Sequence, residues 1–158
     1  MGAKVKFENN FPHLEEELKA LSNLKLIIGP ATGMSGGKDA DEKDKELPRY
    51  AAANEYGAPS RNIPERSYIR SALRKKETRD KVLKNLSGAL NRLIAGNMNA
   101  AGVMDAIGGV LASCIKEQIG SNIGPPNKPS TIARKGSDKG TLLDTEHLLK
   151  SISYEVIE

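Results

Sequence analysis

The chain has 158 residues, which favours a single domain, and its formal net charge is +4. Aromatic residues make up only 4% of it and tryptophan is absent, so the core must be built from aliphatic side chains. A core with so few aromatic side chains fits either a subunit that buries more of its apolar surface against neighbouring subunits or a small helical domain with an aliphatic core. No apolar run reaches the length of a membrane span or forms a secretory leader behind Met1, and the lone Cys114 fits a reducing cytosol and argues against a disulfide framework.

The first third of the chain predicts a helix, a strand and a loop. Apolar residues recur at helical spacing from Phe11 to Leu21, which predicts an amphipathic helix. The β-branched run at 24–29 predicts a buried strand. Residues 31–46, which include Lys38, lose all periodicity and mix glycine with charged side chains. We expect a long mobile loop there.

The middle of the chain predicts two long helices. An apolar helical period runs from Ile69 to Ile94, and a second runs from Val103 to Ile119. Two adjacent glycines, at 108 and 109, indicate either a kink in the second helix or a close contact with it. The two helices should form an antiparallel hairpin.

Residues 121–141 are rich in proline, glycine and basic side chains, and we expect an extended arm. The residues of this arm that we expect to reach a neighbouring molecule are Pro129, Ile132, Arg134 and Lys135. A second extended arm is expected around the prolines between 59 and 64.

The end of the chain predicts a strand. Ile152, Tyr154 and Val156 alternate with polar residues, and the run at 24–29 is their natural antiparallel partner. The expected fold class is therefore α+β, with a small, mainly antiparallel sheet packed on the helical hairpin. The sheet has these two strands, with or without a third from residues 4–9.

The sequence contains no arrangement of residues that is typical of catalysis or metal binding. His13 and His147 are far apart, and neither has a second ligand at metal spacing, so we expect surface histidines. Apolar neighbours of Cys114 predict a core thiol rather than a nucleophile. The glycine-rich run at 29–38 lacks the spacing of a phosphate-binding loop. We expect neither an enzyme nor a bound cofactor or metal.

Two sequence blocks carry a family resemblance. The first reads Asn-Glu-Tyr-Gly over 54–57 and, after a short gap, Ile-Pro-Glu-Arg-Ser-Tyr-Ile-Arg-Ser-Ala over 63–72. The second covers 129–137 and 142–152, where Glu146 departs from the family's usual glycine. Together these blocks resemble the tail-component, or virion-morphogenesis, family of tailed bacteriophages.

The resemblance implies a structural protein of the virion neck, made in the cytoplasm of a bacterial host. Copies would assemble as a ring that joins or completes the tail at the head connector and lets DNA pass. The implied partners are other copies, head-connector or adaptor proteins, and tail-terminator or tail-tube proteins, with non-specific contact to packaged DNA and no membrane. The alternatives are a tail terminator or, in a different class, a basic nucleic-acid-binding or regulatory module.

Besides the arm residues, two further groups of residues are candidates for contacts with other molecules. The proline-flanked segment suggests a subunit interface, in which Tyr68 is buried either in the core or against another subunit. The interface candidates are Ile63, Pro64, Arg66, Tyr68, Ile69 and Arg70.

A basic stripe is expected along the first long helix, where cations recur at spacings of three, four or seven residues. This stripe would face either a DNA channel or a partner protein, or simply solvent. Its members are Arg70, Arg74, Lys81 and Lys84, and Lys38 of the loop is a further candidate.

Overall fold

The computed structural model describes residues 11–31, 42–136, 140–142 and 147–158. Within these ranges the chain forms seven helices, two strands and one 3₁₀ turn. In chain order they are α1 (Phe11–Asn23), β1 (Lys25–Pro30), α2 (Glu42–Tyr56), the 3₁₀ turn (Pro59–Arg61), α3 (Ile69–Arg74), α4 (Lys76–Ile94), α5 (Ala100–Gly120), α6 (Pro129–Lys135), α7 (His147–Ser151) and β2 (Ile152–Ile157).

The two ends of the described chain meet in a small sheet. Strands β1 and β2 pair antiparallel, with Leu26 opposite Val156 and Ile28 opposite Tyr154. This confirms the predicted α+β class and the predicted partnership of the two strands. A third strand from residues 4–9 would lie outside the described residues.

Helices α4 and α5 form the predicted hairpin. Their contact buries Ala89, Leu93 and Val103, because the apolar stripe of each helix faces the other. The side chain of Asn99 caps α5 by accepting a hydrogen bond from the Gly102 N–H at 2.9 Å. Helix α1 packs its own apolar stripe against this cluster, so three helices close one end of the molecule.

A second core lies between α5, α3 and the sheet. Ile115 and Ile119 of α5 are completely buried there, together with Ala72 of α3 and Ile152 of β2. Cys114 is also buried, which confirms its predicted place in the core. Helix α5 thus contributes to both clusters and connects the hairpin to the sheet.

The adjacent glycines mark a close contact rather than a kink. Helix α5 runs continuously through both of them. Gly108 lies directly against the ring of Tyr154, and a Cβ atom there would overlap the ring atoms, whereas a Cβ at Gly109 would meet nothing within 4 Å. The absence of a side chain at Gly108 therefore sets how closely α5 approaches β2.

The predicted long helix is interrupted, which corrects the expectation of a single helix up to Ile94. Lys75 adopts an extended conformation, with φ −66° and ψ 138°, and it separates α3 from α4. No glycine or proline marks this break, so the apolar period alone gave no sign of it.

Two predicted irregular segments contain helices. Residues 42–46 were expected to end the mobile loop, but they form the first part of α2, while 32–41 lie outside the described residues. Residues 129–135 were expected in an extended arm, but they form α6, which begins at a proline. Gly136, with a φ of 69°, ends that helix.

The contact at Gly108 generates a test with a matched control. We expect Gly108→Ala to destabilise the protein by about 1–3 kcal/mol, because the added methyl group overpacks against the partly buried ring of Tyr154. Gly109→Ala should instead stabilise it by up to about 1 kcal/mol, because alanine is the better helix former and the site is open. Urea unfolding of both variants measures the difference, and equal effects would contradict the close contact.

Candidate functional site

The carboxylate of Glu55, at the end of α2, caps the N-terminus of α3. It accepts hydrogen bonds from the backbone N–H groups of Tyr68 at 2.7 Å, Ile69 at 2.9 Å and Arg70 at 3.0 Å. The hydroxyl of Ser67 donates a further bond at 2.8 Å. The first N–H groups of a helix have no partner within the helix, and Glu55 supplies one from a different element.

Arg70 completes this arrangement from the other side. Its Nε donates to the Glu55 carboxylate at 2.9 Å, and its Nη2 donates to the Glu55 carbonyl at 2.7 Å and to Glu65 at 2.9 Å. The guanidinium also lies 4.7 Å from the centre of the Tyr56 ring, which is cation–π geometry. One arginine thus holds together the end of α2, the loop and the start of α3.

The electrostatics favour the ionised carboxylate. Burial alone would raise the pKa of Glu55, which is only 3% exposed. Hydrogen bonds from Ile69, Arg70 and Ser67 outweigh that effect and hold the pKa below its usual value. The hydrogen bond with Glu55 raises the pKa of Arg70. Among the described residues, the guanidinium of Arg70 and the hydrogen-bond donors at the start of α3 therefore compensate the buried negative charge of Glu55.

The segment between α2 and α3 is a closed loop, which corrects the expected extended arm around the prolines. Gly57 leaves α2 with a φ of 76°, the left-handed conformation in which glycine commonly ends a helix. Ala58 and Ile63 then pair as an antiparallel bridge, and the Arg66 N–H donates to the Asn54 carbonyl at 2.7 Å. The prolines stiffen a loop that folds back on its own chain.

The interface candidates divide into buried and accessible side chains. Tyr68 is 1% exposed, which confirms that it is buried, and it lies in the core of this chain. Arg66 is also buried, while Ile63, Pro64 and Ile69 are partly exposed, and so is the side chain of Arg70. A direct contact with a neighbour would therefore have to come from the partly exposed residues.

The basic candidates do not form one continuous stripe, because the break at Lys75 separates those on α3 from those on α4. Arg74 and Lys84 are exposed. Lys81 pairs with Glu117 of α5 at 2.8 Å. Lys38 lies outside the described residues.

In the second predicted arm, Pro129 is exposed and Ile132 is partly exposed, and Arg134 and Lys135 lie at the end of α6. Both histidines are exposed, as predicted. In the described part of the chain, no cluster of His, Cys, Asp and Glu could hold a metal ion, and no helix is long and apolar enough to cross a membrane.

Sequence reasoning missed the roles of Glu55 and Arg66, because their partners are distant in the chain. The only local signal of the Glu55 cap was Ser67, because serine often precedes a helix, together with Arg70 about one turn later. Comparisons with protein-family models, with curated proteins and with solved structures found no match.

The Glu55 cap generates a stability test. We expect Glu55→Gln to destabilise the protein by about 3 kcal/mol, because an amide cannot accept all of these hydrogen bonds and leaves Arg70 without its buried counter-charge. Glu65→Gln is the matched control, since it removes a solvent-exposed carboxylate from the same arginine. It should lower the free energy of unfolding much less than Glu55→Gln does. Urea unfolding at neutral pH checks both, and similar losses would contradict the central role of Glu55.

The lowered pKa of Glu55 predicts a pH dependence. Because the pKa is lower in the folded state, its stabilising contribution is complete above the ordinary carboxyl value of 4.5 and is lost as the pH falls through the folded value. The difference in unfolding free energy between wild type and Glu55→Gln should be constant near neutral pH and shrink in acid. A difference that stays unchanged down to pH ~2 would show that the charge contributes nothing.

Proposed function

We propose that this chain is a structural subunit of the head-to-tail neck of a tailed bacteriophage. Copies assemble as a ring that joins or completes the tail at the head connector, and DNA passes through the ring. The subunit works by docking and catalyses no reaction.

The observation that supports this proposal best is that the residues of the first family-like block depend on one another structurally. Glu55 of its first part binds Ser67, Tyr68 and Arg70 of its second part. Gly57 adopts a positive φ between them, and a Cβ there would lie 3.0 Å from the backbone nitrogen of Glu65. These residues hold a loop and a helix in place, and such a structural role agrees with a protein that works by docking.

Exposed apolar side chains favour association with other subunits. Tyr56 is 66% exposed and Ile27 is 53% exposed, and both line a groove of about 460 Å³ between α2 and the sheet. Leu73, Leu83 and Ile94 are exposed along α3 and α4. In a ring, neighbouring subunits would cover such surfaces.

The pairing of the cations favours protein docking over a nucleic-acid-binding module. Arg70 and Lys81 already contact carboxylates of their own chain, which leaves Arg74 and Lys84 as the stripe members available to a partner. Two cations per subunit would give one copy weak affinity for phosphates, and only a ring would present many of them.

The proposal predicts the phenotype of a phage that lacks this protein. Its lysates should contain DNA-filled heads and separate tails, and purified wild-type protein should restore joined particles, as counted by electron microscopy and infectious titre. Joined, infectious particles that form without the protein would contradict the proposal.

In a size-exclusion and light-scattering experiment with duplex DNA at two salt concentrations, tight salt-resistant binding by single subunits would favour the alternative module.

A charge-reversed variant separates the two surfaces that the exposed cations could face. If Arg74→Glu with Lys84→Glu loses head–tail joining, the cations contact a partner protein. If joining is normal but DNA leaks or stalls, they line the channel, where contacts with phosphates carry no sequence information. Wild-type behaviour in both assays would exclude these cations from the function.

A further inference from the structure

Arg66 is a buried cation that has no carboxylate partner among the residues that the structure describes. It is 8% exposed, and its Nε donates to the Pro125 carbonyl at 2.9 Å. Its Nη2 lies 3.4 Å from both the Pro126 carbonyl and the Asn127 side-chain oxygen. Among the described residues, no carboxylate contacts this guanidinium and none accepts a hydrogen bond from Nη1. Neutral carbonyl groups thus orient the side chain but leave its charge uncompensated.

Arg70, four residues further along the chain, has a contrasting environment. The side chain of Arg70 is 39% exposed, yet it contacts the carboxylates of both Glu55 and Glu65. Burying an ion without a partner of opposite charge costs far more than leaving it in water. Burial accordingly lowers the pKa of Arg66, and Tyr50 nearby only partly offsets this. An arginine nevertheless stays protonated, so the site keeps a full positive charge.

Arg66 lines a pocket of about 420 Å³ between the closed loop and the segment that precedes α6. Ile63, Pro64 and Pro125 supply apolar wall, and Thr131 of α6 lines it as well. Lys128, which is exposed, is the other cation of the lining. The lining thus combines apolar wall with several polar side chains and one buried charge, and small binding sites combine the same kinds of surface.

We propose that this pocket binds a single carboxylate group, which approaches the guanidinium of Arg66 from the pocket. One buried cation is matched by one monoanion, and a guanidinium pairs well with a planar carboxylate. The apolar walls suit the hydrocarbon stem of the same ligand. A phosphate dianion fits less well, because only the exposed Lys128 could meet its second charge. The inference does not rest on the proposed neck function.

The carboxylate has two sources with the same chemistry. It is either a small free acid or an acidic side chain presented by another protein molecule, including a second copy of this chain. In both cases the ligand supplies the counter-charge that the described chain lacks, so its binding should rigidify the contacts of Arg66 with Pro125 and Pro126.

The test is a nuclear magnetic resonance titration of the full-length protein. The Nε–H of Arg66 is hydrogen-bonded and buried, so its side-chain signal should be protected from exchange, and comparison with Arg66→Lys or through-bond correlation identifies it. Sodium acetate and sodium glutarate should shift this signal saturably at constant ionic strength, with a dissociation constant on the order of 1 mM. Sodium chloride should cause no saturable shift. A linear drift identical for every salt would overturn the proposal, and tighter binding of phosphate would overturn the carboxylate class.

A pocket-filling variant keeps the test independent of any folding defect caused by replacing Arg66. Thr131→Phe, which places a ring in the pocket, should weaken acetate binding at least tenfold. Ser130→Phe is the matched control, because Ser130 is exposed on the same helix and does not line the pocket, and it should bind as wild type does. Equal affinities in the two variants would place the bound anion elsewhere and overturn the site.

Protein concentration distinguishes the sources. If a second copy supplies the carboxylate, the Arg66 signal should move as the protein is concentrated without added acid, and acetate should compete with the self-association seen by light scattering. If the ligand is a small free acid, the signal should not depend on protein concentration, and only the added acids should shift it.

Discussion

The structure depends on one buried carboxylate. Glu55 ends α2, and its side chain provides the hydrogen-bond acceptors for the start of α3, so the relative placement of the two helices follows from a single set of contacts. A buried charge is tolerated only when it is paired and hydrogen-bonded, and Arg70 meets that requirement from the surface. The bridge between Ala58 and Ile63 closes the loop between the helices, and Arg70 connects that loop to the cap by donating to Glu65. Local capping, loop closure and core burial of Tyr68 are therefore linked.

Much of this fold follows from hydrophobic periodicity. A helical period predicted α1, the helix pair and their packing, and strand alternation near the C-terminus predicted the partner of β1. These predictions hold because periodicity reports which face of an element is buried, and burial is the dominant favourable term in folding. Tyr68 is buried as expected, since few other aromatic residues are available to the core.

The errors share a physical cause. Pairings between residues distant in sequence leave no local pattern, so neither the Glu55 cap, which binds a residue thirteen positions later, nor the contacts of Arg66 some sixty positions away could be predicted. The break at Lys75 occurs without glycine or proline. Prolines predicted extended arms, but proline only restricts the backbone, and tertiary hydrogen bonds decide whether a stiff segment extends or folds back. The bridge between Ala58 and Ile63 makes the first of these segments fold back.

Arg66 and Arg70 lie one helical turn apart in sequence yet meet opposite environments. Arg70 is partly exposed and fully compensated by carboxylates, so its role is completed within the chain. Arg66 is buried among carbonyl groups that fix its direction without neutralising it. Fixing the direction of a charge in advance reduces the entropy that a ligand must overcome on binding, and a charge held in an apolar pocket interacts more strongly than one in water. The same short segment thus stabilises the fold through Arg70 and provides, in Arg66, the charge that the proposed carboxylate would meet.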